Sequence, residues 1–227
     1  MIYTWLDTID HYPFEKLRKL LSDVQPRPGA GHPIDLALGE PQGPPPEILA
    51  LTLATHAAHW NRYPPRNGTA SLREAIAGWL VRRYRLPKGM IDSDTQVQPV
   101  PGTRSPLFLT ALMTVVGNEL NVRHPEKPPV VLLPNPLFAA YYGGAVLAGA
   151  EARAVAPPLG KNQFPAFDQV DEEVLERTRL IYVCNPSNPE GCSASLDYLC
   201  MLILLARRLG AVVAFDECYS EIYDVKP

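Results

Sequence analysis

Three short apolar runs, separated by helical patterns, shape the second half of this chain of 227 residues. They are residues 130–133, 180–184 and 211–215, and each is apolar throughout. Continuous runs of this length are typical of strands covered on both faces, and helices between such strands are typical of βαβ units. The sequence therefore predicts an α/β fold built around a mostly parallel sheet.

Capping patterns predict where three of the helices begin and end. We expect the first to begin at a Ser71 cap and to end near Arg85. We expect the second to begin at a Ser105 cap and to end near Gly117. The third covers residues 195–209, with an aspartate in its first turn, two arginines in its last turn and a glycine just beyond.

The first part of the chain has a different organisation. Residues 14–24 form one short amphipathic stretch, and residues 26–31 consist of proline, arginine, glycine and alanine. We predict that residues 1–47 form an N-terminal arm that is part of a small domain. We predict that residues 48–227 form the first part of a larger domain.

Charge and hydropathy exclude several classes of partner. The 21 Lys and Arg residues against 24 Asp and Glu residues give a formal net charge of −3, without a long block of either sign. The longest apolar stretch, residues 199–206, is far short of the ~20 residues that a membrane span needs. The first twenty residues lack the apolar segment of a secretory signal. We therefore expect a cytoplasmic protein that binds neither nucleic acid nor membrane.

The four cysteines do not follow a metal-binding spacing. The gaps between Cys184, Cys192, Cys200 and Cys218 match neither a CxxC pair nor a zinc-ligand set with nearby histidines. We expect no metal site and interpret all four as buried free thiols.

A glycine-containing turn leads into the second predicted helix. The unpaired N–H groups of a helix N-terminus favour an anion, and the hydroxyls of Thr103 and Ser105 add donors next to Gly102. This turn is a candidate phosphate site. The same residues also fit an ordinary helix start with a serine cap, so the pattern alone leaves both interpretations open.

An asparagine-proline loop follows the run at 180–184. Asn188 is flanked by Ser187 and Pro189 in a seven-residue segment with two Asn-Pro pairs and a glycine. The prolines restrict the backbone around them, which favours an amide held at the edge of the sheet as a hydrogen-bond donor. The alternative is a purely structural turn stabilised by asparagine side chains.

An acidic residue, Asp216, follows the last apolar run. A buried carboxylate is costly unless a cation accompanies it, so Asp216 requires a positively charged partner. That partner is a bound ligand, a core arginine, or a metal as in nucleotide-binding enzymes. The last choice lacks support because the chain contains no phosphate-binding loop of the Gly-x-x-x-x-Gly-Lys-Ser/Thr type.

Six motifs, taken together and in this order along the chain, resemble the class I/II aminotransferases of fold type I, which bind pyridoxal 5′-phosphate. They are Leu38-Gly39-Glu40-Pro41, Tyr63-Pro64 with Gly68 and Leu72-Arg73-Glu74-Ala75-Ile76-Ala77, Gly102-Thr103-Arg104, Asn135-Pro136-Leu137-Phe138, Asn185-Pro186-Ser187-Asn188-Pro189-Glu190-Gly191 and Asp216-Glu217-Cys218-Tyr219. The resemblance implies the three-layer α/β fold of the large cofactor-binding domain, with a mostly parallel sheet.

The resemblance implies cofactor-binding roles for residues in several of these motifs. Gly102, Thr103 and Arg104 would hold the cofactor phosphate at a helix N-terminus. Asp216 would pair with the protonated pyridine nitrogen, which supplies the cation that a buried carboxylate requires.

Further residues follow from the same resemblance. Asn188 and Tyr219 would hydrogen-bond the phenolic oxygen of the ring, and Phe138 would stack on its face, although Phe138 also fits a plain core aromatic. Tyr63 would reach the phosphate bound to a second subunit, which implies a homodimer. Gly39 would bring its backbone close to the substrate carboxylate.

The family's reaction also needs a Schiff-base lysine, which the resemblance places some tens of residues after the Asp216 motif. None of the lysines in this sequence has that setting, and Lys226 follows Asp216 too closely. We therefore interpret the chain as the first half of an aminotransferase, truncated within its cofactor domain, and we expect no turnover from this half alone.

The resulting prediction is an aminotransferase that moves an amino group between an amino acid, with glutamate as the expected donor, and a keto acid. Residues 39–46 and 216–223 most resemble succinyldiaminopimelate aminotransferases of lysine biosynthesis. Two alternatives remain at this point. One is a non-catalytic module for cofactor binding or oligomerisation, and the other is an unrelated nucleotide-phosphate binder that uses the Gly102 turn.

Overall fold

The structure of the chain is a computed structural model that describes residues 13–25, 27, 29, 31, 39–40, 43–119, 126–158 and 164–223. The described residues divide into two compact units, one built from residues 16–100 and one built mainly from residues 101–223. Each unit is described by itself. The predicted boundary between an arm and a larger domain at residue 47 stays a prediction.

Helices dominate the chain before residue 100. Helix α1 covers Pro13–Leu21, α2 covers Glu47–Thr55, a short 3₁₀ helix covers Ala57–Asn61, and α3 covers Ala70–Tyr84. Among the described residues of the whole chain, no helix has the length and apolarity that crossing a bilayer requires.

Helix α3 begins two residues earlier than its sequence pattern predicts. Its N-cap is Thr69, whose hydroxyl oxygen accepts the N–H of Leu72 at 3.3 Å, so the prediction of a Ser71 cap is wrong. The extended backbone of Thr69 places its hydroxyl over the first turn, and Ser71 lies inside the helix. The predicted end is confirmed, because Arg85 adopts a left-handed conformation with φ +52°.

A buried arginine fixes the loops around α3. Arg73 is 7% exposed, and its guanidinium donates to the carbonyl of Gly68 at 2.8 Å and to the carbonyl of Ser93 at 3.0 Å. A third bond joins it to the carboxylate of Asp94 at 2.6 Å. The planar, multidentate guanidinium suits this set of acceptors better than a lysine would.

The unit after residue 100 contains the predicted parallel sheet. Strands β1 (Val130–Pro134), β2 (Glu151–Val155), β3 (Thr178–Cys184) and β4 (Val212–Asp216) pair in the order β2-β1-β3-β4, and all pairs are parallel. Strand β2 was not predicted, because its residues alternate in polarity and do not form a continuous apolar run. It lies at an edge of the sheet, where two of its residues are exposed.

Four helices cover the two faces of this sheet, which gives the predicted three-layer α/β fold. They are α4 (Arg104–Val115), α5 (Ala139–Leu147), α6 (Glu172–Glu176) and α7 (Leu196–Leu209). In β1, Val131 and Leu133 pack with α4 and α5, whereas Val130 and Leu132 pack with α7 on the other face. The continuous apolar runs of the sequence therefore supply two separate cores.

Of the two helices predicted after residue 100, the structure confirms the bounds of α7 but not the start of α4. Helix α7 is confirmed: the Ser195 hydroxyl accepts the N–H of Tyr198 at 3.2 Å, and Gly210 ends the helix with φ +65°. For α4 the predicted Ser105 cap is wrong, because the helix begins at Arg104 and is flanked by Thr103. Threonine is a common N-cap residue, but the Thr103 side chain forms no capping bond here.

Close packing of α4 on α5 depends on Gly144. A Cβ atom at this position would overlap the backbone carbonyl of Phe108, which cannot move without displacing α4. We predict that Gly144→Ala lowers the free energy of unfolding by at least about 2 kcal/mol, measured by urea titration with circular dichroism. The neighbouring Gly143→Ala is the control and costs less, because its Cβ meets only the Phe108 ring edge at 3.2 Å. Equal stability of the two variants would contradict the prediction.

Candidate functional site

A cleft of about 680 Å³ lies at the edge of the sheet where β1, β3 and β4 end. Clefts of this size are typical of sites for cofactors and other small molecules. Seven of the nine residues predicted for the site line it. They are Gly102, Thr103, Arg104, Phe138, Asn188, Asp216 and Tyr219.

Asp216 is the last residue of β4 and is only 7% exposed. Its Oδ2 atom accepts the hydroxyl of Tyr141 at 2.6 Å, and its Oδ1 atom accepts the backbone N–H of Cys218 at 3.3 Å. Within the described ranges, no Lys, Arg or His side chain forms an ion pair with it. Among the described residues, no core arginine therefore serves as the partner of Asp216.

The same part of the chain gives no support for a metal in this position. The described residues contain no group of three or more His, Cys, Asp or Glu side chains able to hold a metal ion. A buried carboxylate with neutral hydrogen-bond donors on both oxygens still needs a cation to offset its charge. A protonated ligand group in the cleft meets that need.

The turn before α4 forms an open wall of the cleft. Gly102 has φ +88°, a conformation that disfavours residues with a side chain, and no atom lies within 4 Å of its missing Cβ position. Thr103 and Arg104 follow with exposed side chains, and the Thr103 hydroxyl takes no part in capping. The first N–H groups of α4 therefore have no side-chain cap, which suits an anion.

Phe138 stands between the turn and Asp216. It precedes α5 directly and is half-buried at the margin of the core under α4 and α5. The guanidinium carbon of Arg104 lies 5.7 Å from its ring centroid, and the ring of Tyr141 meets it edge-on at 5.6 Å. Phe138 thus combines a core contact with a ring that lines the cleft, and its stacking on a cofactor ring stays a prediction.

The two asparagines of the asparagine-proline loop, Asn185 and Asn188, make different contacts. The side-chain oxygen of Asn185 accepts the N–H of Ala194 at 2.9 Å, which closes the loop. Asn188 is exposed instead, and its amide nitrogen donates to the hydroxyl oxygen of Tyr219 at 3.1 Å. The structural role considered for this motif therefore belongs to Asn185, and Asn188 faces the cleft as part of a polar pair.

Two thiols complete the wall around Asp216. Burial, and then the nearby Asp216 carboxylate, raise the pKa of Cys184 to about 12 and that of Cys218 to about 11. The cysteines are free thiols as predicted, but the prediction that all are buried is wrong, because Cys200 and Cys218 are exposed. Cys200 lies on the outer side of α7, and Cys218 follows the strand end at the cleft.

Two predicted residues, Gly39 and Tyr63, belong to the other compact unit. The Tyr63 side chain is fully exposed, and the Cβ position of Gly39 has no atom within 4 Å. Their predicted roles toward a second subunit and a substrate carboxylate stay predictions.

Sequence reasoning missed Tyr141, the donor to Asp216. It lies three residues after Phe138, inside an apolar helix whose other residues are alanine, glycine, valine, leucine and tyrosine. Such a tyrosine resembles any other core aromatic. Its position one helical turn beyond a predicted site residue was the available signal, since residues three apart share a helix face.

Comparison with known proteins shows which family this chain resembles. The family described as aminotransferase class I and II matches residues 31–225. An LL-diaminopimelate aminotransferase of Gloeobacter violaceus is 29% identical over 223 residues, which cover 96% of this chain and 53% of that protein. The 4-dedimethylamino-4-oxo-anhydrotetracycline transaminase OxyQ of Streptomyces rimosus is 35% identical over 204 residues, covering 87% and 49%.

A solved structure supports the same assignment. The crystal structure of an aminotransferase from Neisseria meningitidis Z2491 aligns with a TM-score of 0.87 and 32% identity, covering 98% of this chain and 54% of that one. This chain spans about half the length of the relatives that it matches. Since the family match covers most of the sequence and the sheet carries the family's motifs at one edge, the chain belongs to the class I and II aminotransferases.

Proposed function

We propose that this chain forms the pyridoxal 5′-phosphate site of an aminotransferase. Aminotransferases of this family depend on that cofactor. One observation carries the proposal: a buried carboxylate without a cationic partner among the described residues shares a single cleft with six other predicted cofactor contacts. A phosphorylated pyridinium ring offers complementary groups to the turn at Gly102 and to the Asp216 carboxylate.

The residues of the cleft fit the cofactor by chemical type. The open turn at Gly102 and Thr103, together with the Arg104 guanidinium, suits a phosphate dianion. In the same cleft, Asp216 suits a protonated ring nitrogen, because the charged pair offsets the cost of burying the carboxylate. When bound, pyridoxal phosphate supplies an electron sink that carries an amino group between an amino acid and a keto acid.

The sides of the cleft suit the remaining parts of the ring. The Phe138 ring offers an apolar face for stacking. Asn188 and Tyr219 form a hydrogen-bonded pair with donors left for a ring oxygen. Burial raises the pKa of Tyr219, which keeps its phenol protonated and able to donate.

We predict that Asp216→Asn weakens binding of pyridoxamine 5′-phosphate about tenfold or more, because the neutral amide cannot offset the charge of the pyridinium. Pyridoxamine 5′-phosphate is chosen because it has no aldehyde to react with surface lysines. Affinity is measured by isothermal titration of the 227-residue chain. The matched control is Asp197→Asn, on the exposed first turn of α7, which leaves affinity unchanged. Equal affinities of all three proteins would remove the Asp216 assignment.

Thiol labelling provides a pH-dependent test of the same cleft. The pKa of Cys218, about 11, lies above its ordinary value, so the reactive thiolate is scarce at neutral pH and increases as pH rises toward 11. We predict that alkylation of Cys218 by iodoacetamide accelerates about tenfold per pH unit between pH 8 and 10 without a plateau. Mass spectrometry of the labelled peptide measures this rate.

Two further comparisons connect labelling to the site. Asp216→Asn accelerates labelling of Cys218 at pH 8, because it removes one cause of the raised pKa. Pyridoxamine 5′-phosphate slows labelling of Cys218 but not of Cys200, which lies on α7 and is not part of the cleft wall. Protection of Cys200 and Cys218 to the same degree would contradict a specific ligand in the cleft.

The substrate proposal comes from the relatives. We propose glutamate as the amino donor and a diaminopimelate-type keto acid as the acceptor, in lysine biosynthesis, since several relatives are named LL-diaminopimelate aminotransferases. The succinylated substrate suggested by residues 39–46 and 216–223 belongs to the same proposal. We also propose a cytoplasmic homodimer, in which Tyr63 contacts the phosphate bound to the partner subunit.

We predict that the protein expressed from the whole gene, mixed with 2-oxoglutarate, forms glutamate from LL-diaminopimelate or its N-succinyl derivative, measured by coupled glutamate dehydrogenase. Asp216→Asn abolishes this transfer, and Asp197→Asn is the control. Glutamate formation from neither compound would overturn the substrate proposal. Tight binding of pyridoxamine 5′-phosphate without transfer from any amino acid would favour a non-catalytic cofactor-binding module.

A further inference from the structure

Tyr141 makes the shortest hydrogen bond to the Asp216 side chain in the described structure. Its side chain is 1% exposed, and its hydroxyl donates to Oδ2 of Asp216 at 2.6 Å across 75 residues of sequence. The two groups belong to different layers, since Tyr141 lies on α5 and Asp216 ends β4. The bond therefore ties the helical layer to the strand end that carries the carboxylate.

The ring of Tyr141 is held in one place by its neighbours. It stacks on the ring of Tyr182 with a centroid separation of 4.4 Å and an interplanar angle of 10°. The ring of Phe138 meets it edge-on at 5.6 Å. Tyr182 is fixed in turn, because its hydroxyl donates to the backbone carbonyl of Leu107 in α4. Packing from α4, α5 and β3 thus sets the position of the Tyr141 hydroxyl.

The phenol remains a donor under all ordinary conditions. Burial, followed by the hydrogen bond and charge of Asp216, raises the pKa of Tyr141. A protonated phenol keeps its hydrogen directed at the carboxylate. The other carboxylate oxygen receives only a longer bond, 3.3 Å, from the N–H of Cys218. Tyr141 is therefore the main restraint on rotation of the Asp216 carboxylate.

We propose that Tyr141 is a positioning residue, which holds the Asp216 carboxylate in the orientation that receives a protonated ring nitrogen in the cleft. The inference rests on the proposed function, because it requires a pyridinium ligand. Tyr141 touches Asp216 and acts through it. A phenol that served only to fill the core would contribute equally to the binding of any ligand of the same shape.

The test compares two ligands that differ in one ring atom. Pyridoxamine 5′-phosphate carries the ring nitrogen, and its 1-deaza analogue has C–H in that place and gains nothing from an oriented carboxylate. We predict that Tyr141→Phe weakens binding of pyridoxamine 5′-phosphate to the 227-residue chain about tenfold, and changes binding of the deaza analogue less than twofold. Isothermal titration measures both affinities.

Two variants control the comparison. Tyr182→Phe removes the hydroxyl of the stacked neighbour and leaves the preference for the nitrogen-containing ligand unchanged, because Tyr182 bonds Leu107 and not Asp216. In the Asp216→Ala background, Tyr141→Phe causes less than a twofold further loss. Equal losses for both ligands, or a full loss in the Asp216→Ala background, would overturn the positioning role. A parent chain that binds neither ligand would instead overturn the proposed function, and the role of Tyr141 with it.

A second measurement keeps the proposal testable if Tyr141→Phe does not fold. Tyr141→3-fluorotyrosine retains the hydroxyl and provides a fluorine resonance beside the bond to Asp216. We expect pyridoxamine 5′-phosphate to shift this resonance and the deaza analogue to leave it unchanged. The same shift from both ligands would assign Tyr141 to packing alone.

Discussion

The cleft depends on a carboxylate that is buried before any ligand arrives. Asp216 is 7% exposed and carries its charge at the end of β4 without an ion pair to any described residue. Burial of a lone charge is unfavourable, and two neutral donors reduce that cost without removing it. A cationic ligand therefore gains more free energy here than at an exposed carboxylate. On the proposed function, a local cost in stability accompanies affinity for the ligand, as is common at functional sites.

The sheet explains how distant segments meet at this carboxylate. Parallel pairing aligns Cys184 of β3 with Asp216 of β4, so the loops after both strands emerge at one edge. Alternate residues of β1 pack into cores on opposite faces, which fixes the strand ends between two layers of helices. The polar groups then stand on loops that the cores hold in place, as precise recognition of a small molecule requires.

The sequence predicts the elements whose signals are local. Helix α7 ends before its predicted glycine, and Ser195, predicted as its first residue, is its N-cap. The start of α4 was placed two residues late, because the serine-cap rule pointed to Ser105 whereas Thr103 flanks the helix without a capping bond. Strand β2 was missed because an exposed edge strand lacks an apolar run. Tyr141 was missed because its function depends on a contact across 75 residues, which no local pattern records.

The predicted site residues divide unequally between the two compact units. Seven lie within residues 102–219 and line the cleft at one edge of the sheet. Gly39 and Tyr63 belong to the other unit and are assigned to a substrate and to a partner subunit. In the proposed function, seven of the eight cofactor contacts therefore lie in one unit, whereas Tyr63 and the proposed substrate contact Gly39 lie in the other. On that proposal, a change at Gly39 would alter substrate preference while the seven contacts of the cleft stay in place, so cofactor affinity and substrate preference would be largely separable.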